Sequence, residues 1–201
     1  NSHSEIKDYK RFKINKKIKN ILDKNFCITY GGNIGKAQNF YNILIVSKKI
    51  LFKKKIKFLI IGSGSEFKDI KNKIKNLKLK NVYLFPMVNK YQINHIFHKS
   101  KALILSLKKN IFLSKTIPSK LQNYLAIGKP LLISADGEVN DLIKKNNCGL
   151  TSPAEDCIIL KKNIIKIFKK RKKIYFSSNA RKLYLNKFQI KNNIKNLIKY
   201  L

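Results

Sequence analysis

Negative charge is what this sequence most lacks. Ten Asp and Glu stand against 45 Lys and Arg in 201 residues, a formal charge of +35. Carboxylates this scarce leave little material for acid–base pairs, and no Ser-His-Asp or Cys-His arrangement is evident. Arginine is nearly absent as well: only Arg11, Arg171 and Arg181 occur. Nucleic-acid surfaces favour arginine, whose planar fork matches phosphates and base edges. Specific nucleic-acid binding is therefore the least supported use of the charge. The lysines are spread along the chain, not gathered in a block. Drift of composition towards Lys, Ile and Asn is the plainest reading of the excess. Attraction to an anionic membrane face or an anionic substrate comes second.

Other absences narrow the class further. Cys27, Cys148 and Cys157 have neither disulfide nor metal spacing. Cys27 sits in a strand-like run and reads as a small buried hydrophobe, which suits a reducing cytoplasm. No apolar run approaches the about 20 residues a membrane span requires. The polar start lacks the apolar core of a signal peptide. It also lacks an initiator Met, so a piece of a longer protein is expected. His95 and His98 share a helix face but have no nearby third ligand, and zinc needs three or four.

What is present is a regular alternation. Apolar runs at 26–30, 57–61, 81–85, 101–107, 130–134 and 148–150 are separated by helix-length segments near 37–52, 66–78, 91–98, 119–127 and 139–145. Unbroken apolar runs are the mark of strands buried on both faces. The alternation predicts an α/β fold: a Rossmann-like, doubly wound parallel sheet of about six strands. From Ala154 onward only helix is expected. The expected organisation is a connector or N-terminal helix over 1–24, the sheet domain over 25–170 and a C-terminal helical tail over 171–201. In such sheets ligands bind beyond the carboxyl ends of the strands, which selects the loops at 31–36, 62–66, 86–90, 106–119 and 134–138.

Two of these loops stand out. In YGGNIGKAQ (30–38), Gly31, Gly32 and Gly35 allow close backbone approach to a ligand. Lys36 is expected at the start of the next helix, where free N–H groups favour an anion. A P-loop is excluded by the short glycine spacing and by Ala37 in place of a Ser or Thr. In TIPSKLQNYLAIGKP (116–130), Pro118 suits a first helical turn and Ser119 can cap it. Lys120 then lies at the helix end where a cation is unfavourable unless an anion is bound beside it. Leu121, Leu125 and Tyr124 face the sheet, and Gly128 with Pro130 ends the helix. The GSGSEF turn (62–67) lacks the third glycine and the downstream acid of a dinucleotide fingerprint. Ser63 or Ser65 capping the next helix is the better reading. Glu155 and Asp156 are expected at a helix start.

Taken together, FCITYGGNIGKAQ, FLIIGSGSE, NVYLFPMV, TIPSKLQNYLAIGKPLLISADGE and CGL resemble the nucleotide-binding C-terminal half of GT-B glycosyltransferases of group 1, family 4. The similarity covers about residues 25–160 and is nearest to surface-polysaccharide transferases such as L-fucosamine transferases. The resemblance implies a retaining enzyme that moves a sugar from a nucleotide-diphosphate donor to a glycan or lipid-linked acceptor. It implies no cofactor and no metal. The donor diphosphate would meet Gly32, Asn33, Lys36, Ser119 and Lys120. The ribose and sugar would meet Asn123, Asp136, Gly137 and Glu138, and the base Met87 and Val88. Three positions depart from the family: Asn33 stands where an Arg is usual, and Lys115 and Asn123 stand where two Glu are usual. The catalytic residue is unassigned, because the family carries its base on an N-terminal domain for which this chain has no room. Implied partners are that domain, the donor, the acceptor and an anionic membrane surface at a cytoplasmic face. The alternatives are a non-catalytic sugar-nucleotide-binding or RNA-binding module, or another GT-B enzyme such as a sugar-nucleotide epimerase.

Overall fold

In the computed structural model, residues 12–169 and 174–189 are described. The expected connector before residue 12 and the expected helix at 170–173 and 190–201 lie outside them. Six strands form one sheet in the order β3-β2-β1-β4-β5-β6. They are β1 (Phe26–Asn33), β2 (Ile56–Ser63), β3 (Val82–Phe85), β4 (Ala102–Ser106), β5 (Leu131–Ser134) and β6 (Gly149–Ser152). Every pairing is parallel, as the apolar runs predict.

The alternation of side chains along each strand separates two cores. Phe58, Ile60 and Ile104 face a layer made by α2 (Phe40–Lys49), α3 (Phe67–Asn76) and α8 (Cys157–Lys169). On the other face, Leu103, Leu105, Leu131 and Ile133 meet α4 (Lys90–Lys99), α6 (Ser119–Ile127), α7 (Glu138–Lys145) and α9 (Ile174–Lys187). Leu59 and Ile61 meet α1 (Lys16–Lys24) through Ile18, Ile21 and Leu22. Asn15 caps α1 by accepting from Lys17 N at 2.8 Å. Lys99 holds α1 to α4 through Asp23 at 3.0 Å.

Several expected boundaries move, each for a local reason. β1 continues through Gly31–Asn33, paired with Ile61–Ser63 of β2. The two backbones pass so closely that a side chain at Gly62 would strike the Gly32 carbonyl. The expected turns after both strands therefore begin later. α2 starts at Phe40, capped by Asn39; Lys36 stands in an exposed turn before it and not at its first residue. Ser63 and Ser65 do not cap α3, whose cap position is Glu66 with no side-chain bond. Ser119 likewise does not cap α6: the cap position is Pro118, and Ser119 is the first helical residue. The polar loop expected at 106–119 contains one helical turn, α5 (Ile111–Ser114), capped by Asn110. Asp156 does cap α8, accepting from Ile158 N and Ile159 N at 2.9 and 2.8 Å. Its neighbour Glu155 adopts a left-handed φ of 66° and accepts from Lys109 N. Gly128 closes α6 with φ 69°, as read.

α9 packs on α6: Ala180, Leu183 and Tyr184 join Leu121, Tyr124 and Leu125 in one buried cluster. Arg181 Nη1 donates to Ala126 O at 2.5 Å. α6 is thus clamped from outside by α9 and from inside by the sheet. The inner clamp includes a polar contact, Gly31 N donating to the Tyr124 hydroxyl at 3.0 Å. Both residues are buried, so Tyr124→Phe leaves that N–H without a partner. We expect a loss of about 1–3 kcal/mol at unchanged denaturant dependence, measured by urea unfolding.

Candidate functional site

The sheet order reverses between β1 and β4, and the crevice beyond their carboxyl ends is where such sheets take ligands. The segment after β1 does not simply turn back into α2. It reaches across to β4: Gln38 bridges Leu107, Lys108 N donates to Ala37 O at 3.0 Å, and Asn39 N donates to Ser106 O at 3.2 Å. Residues 34–39 therefore wall one side of the crevice.

The opposite wall is the start of α6, and here the two loops singled out in the sequence meet. Gly32, at φ 126°, faces the Lys120 side chain; an added Cβ would lie 3.0 Å from both Lys120 Cε and Nζ. The left-handed φ favours glycine at the position. Lys120 brings its Nζ over the Tyr30 ring, 3.7 Å from the centroid. Its ammonium donates to the Tyr30 hydroxyl, which in turn donates to Asn33 O. Tyr30 is wholly buried and packs edge-to-face on Phe40 at 4.8 Å. Phe97 stands edge-on to Tyr124 at 5.2 Å and leaves no room for a side chain at Gly31.

The electrostatics follow from this packing. Burial pushes the Lys120 ammonium down from its ordinary value to about 7. Among the described residues no carboxylate pairs with it. Burial also pushes the Tyr30 and Tyr124 phenols up, so both stay neutral. The cation is supported by the ring face and sits at a helix N-terminus that favours the opposite charge. No side chain caps that first turn. An anion placed in the crevice would meet both a half-buried cation and the helix N-terminus.

The other candidate residues distribute around this centre. Ser119 and Asn123 are exposed and stand four residues apart on α6, on one face. Asn33 lays its amide against Gly35 and Gly64. Lys36 is exposed in the turn of the crevice wall. Asp136 is committed to structure: its Oδ1 accepts from Ala154 N at 2.9 Å. Gly137, at φ 68°, packs on the backbone of Ser114 and brings α5 against the start of α7. Glu138 is the exposed first residue of α7. Met87, 46% exposed, and Val88, packed near α1 and α4, follow β3, two strands away from β1. Tyr30 is the functional neighbour that sequence reading missed. Its signal was available: an aromatic one residue before a Gly-Gly pair at the carboxyl end of a strand.

Among the described residues, no group of three or more His, Cys, Asp or Glu is placed to hold a metal. No helix among them is long and apolar enough to cross a membrane.

Fold and crevice together define a Rossmann-like α/β domain with a six-stranded parallel sheet. The sequence pattern of the family described as "Glycosyl transferases group 1" matches residues 11–199, and the chain belongs to that family. No curated protein matches it by sequence. Solved structures of low identity share the fold. HepE of Anabaena, in complex with UDP, superposes at TM-score 0.76 with 14% identity, covering 98% of this chain and 53% of HepE. A point mutant of TarM of S. aureus, in complex with fondaparinux, alpha-GlcNAc-glycerol and UDP, gives 0.71 and 15%, covering 88% of this chain and 35% of TarM. The catalytic domain of cholesterol-alpha-glucosyltransferase from Helicobacter pylori gives 0.67 and 15%, covering 80% of this chain and 98% of that domain. The chain thus spans about half the length of HepE and about a third of TarM.

An ammonium depressed to about 7 makes a testable cost. The folded value lies below the unfolded one, so folding disfavours the charged form. The penalty is full below pH 7 and fades as pH rises towards the ordinary lysine value. Lys120→Met, which removes the charge and keeps an unbranched side chain, should raise Tm at pH 6 by roughly 2–4 °C and by less at pH 9. Calorimetric melts at the two pH values check this.

Proposed function

We propose that this chain is the donor-binding half of a glycosyltransferase that uses a nucleotide-diphosphate sugar. The observation that carries the reading is the Lys120 ammonium, packed on Tyr30 against Gly32 with no carboxylate partner among the described residues. A cation in that position suits an anion, and the bare backbone at Gly32 lets a diphosphate come close. When the bond between anomeric carbon and diphosphate oxygen breaks, negative charge grows on the leaving diphosphate. A fixed cation in a site of low dielectric stabilises that charge more than water can. Lys36, on the facing wall, adds a second, solvated cation. Ser119 and Asn123 are assigned to hydrogen-bond the donor, Asn123 without the charge of a carboxylate. Met87 and Val88 are assigned to the base, and Glu138 to the sugar.

Uridine diphosphate is the first donor nucleotide to test, since HepE and TarM were each solved with UDP. Retention at the anomeric carbon, transfer to a glycan or lipid-linked acceptor of a surface polysaccharide, and action at the cytoplasmic membrane face complete the proposal. The acceptor and the catalytic base are assigned to a first domain, consistent with the half-length match to HepE.

Calorimetric titration with UDP, GDP and UDP-N-acetylglucosamine tests the reading. One nucleotide should bind saturably, and Lys120→Ala should weaken it by about tenfold or more. Binding should take up a proton near pH 7, because the anion restores the charged lysine, so affinity should fall from pH 6.5 to pH 8.5. A folded chain that binds none of the three, or binds equally well as Lys120→Ala, would overturn it.

A further inference from the structure

The hydrogen bonds around Lys120 Nζ have a direction. The Tyr30 hydroxyl has one proton and donates it to Asn33 O, so towards Lys120 Nζ its oxygen can only accept. That contact leaves the lone pair of a neutral amine unengaged. Among the described residues no carboxylate pairs with Nζ. Tyr30, its phenol pushed up by burial, stays neutral and gives the ammonium no opposite charge. Burial pushes Lys120 down to about 7, so about half of this group is free base near neutral pH. A solvated lysine at pH 7 is free base in roughly one molecule in 2,500. A desolvated lysine is an activated nucleophile. Lys129 gives the contrast. It is also half-buried and pushed down by burial, but it follows Gly128 at the carboxyl end of α6, which repels an anion. Lys120 stands at the opposite end of the same helix, where N–H groups attract one, beside the bare backbone of Gly32. Lys120 thus combines a reactive nitrogen with a place for the phosphate of an acylating agent.

We propose that Lys120 is a site of covalent acylation by small acyl phosphates, and that the modification switches the crevice off. The amine lone pair attacks the acyl carbonyl carbon. A C–N bond forms and the C–O bond to phosphate breaks. The phosphate leaves with the electron pair and takes the proton that the nitrogen releases. An amine and an acyl phosphate thereby become an amide and hydrogen phosphate, with no further reactant. The amide is uncharged, so the cation over the Tyr30 ring is lost, and with it the charge that would meet a diphosphate. The inference rests on the proposed function in one respect: a crevice that admits a nucleotide-diphosphate donor admits a smaller phosphate ester, and loses the donor when the charge is removed.

Partial acetylation with acetyl phosphate at pH 7, mapped over time by mass spectrometry of the digested chain, tests this with the other lysines as internal controls. Lys120 should be acetylated about tenfold faster or more than the exposed Lys68 and Lys144, a margin well inside the difference in free base. It should also outrun Lys129. Inorganic phosphate in excess should slow Lys120 and leave the exposed lysines unchanged. The N-hydroxysuccinimide ester of acetate, which carries no phosphate, should remove the lead over Lys129. Chain acetylated at Lys120 should bind UDP about tenfold more weakly or worse while its melt at pH 6 does not fall. The proposal is overturned if Lys120 reacts no faster than the exposed lysines, if phosphate does not slow it, or if the acetylated chain binds UDP as tightly as before. A chain that binds no nucleotide but is acetylated selectively at Lys120 overturns the proposed function and leaves the modification. A chain that binds UDP but is acetylated without selectivity overturns the modification alone.

Discussion

A lysine ammonium held against a buried tyrosine ring is the contact on which the crevice depends. Tyr30 is fixed by the sheet below and Phe40 beside it, and its hydroxyl links Lys120 to the carbonyl of Asn33. Lys120 belongs to the first turn of α6, so the contact fixes where that helix begins relative to β1. One side-chain pair thereby joins the two sides of the reversal in sheet order: Tyr30 comes from β1, and α6 follows β4. Remove the ring, and the cation has no apolar support.

The fold was legible because of the physics of buried parallel strands. Runs such as FLII and LILS must be apolar on both faces, and their place in the alternation separates them from the equally apolar ILIV of α2 and CIIL of α8. Gly128 was legible for a similar reason, since its φ of 69° suits glycine and ends a helix. Local boundaries were less so. Lys36 was expected at a helix start, but the intervening residues are drawn to β4 by the Gln38–Leu107 bridge, a contact 69 residues away in sequence that no local pattern announces. Ser119 failed as a cap because Pro118 occupies that position with the extended backbone a cap needs. Of the candidate site, Gly32 and Lys120, read from two separate loops, lie side by side, while Tyr30 was passed over as the last apolar residue of a strand. Asp136, assigned to the donor sugar, also holds Ala154 N, a structural use of a carboxylate that sequence does not announce.

The large positive charge has two kinds of residue within it. Most lysines lie on exposed helix faces, and the ion pairs described are surface ones, Lys19–Asp23, Lys73–Asp69 and Lys99–Asp23, each worth little in water. Such lysines set solubility and long-range attraction to anions and are compatible with drift of composition. Lys120 is different in kind. It is half-buried, pushed down towards neutrality and set beside a glycine held at a left-handed φ. Burial pushes Lys129 down as well, but Lys120 is the one pushed to about 7, and function is sought there and not in the sum.

The central claim is that Lys120 waits in the free chain as a partly discharged cation and recovers its charge on an anionic ligand. Chain labelled with 13C at lysine Cε, titrated by NMR with and without UDP and assigned through Lys120→Met, measures this directly. The account predicts one lysine signal titrating near 7 in the free chain and moving markedly upward when UDP is bound. A Lys120 that titrates with the surface lysines and is unmoved by UDP would contradict it.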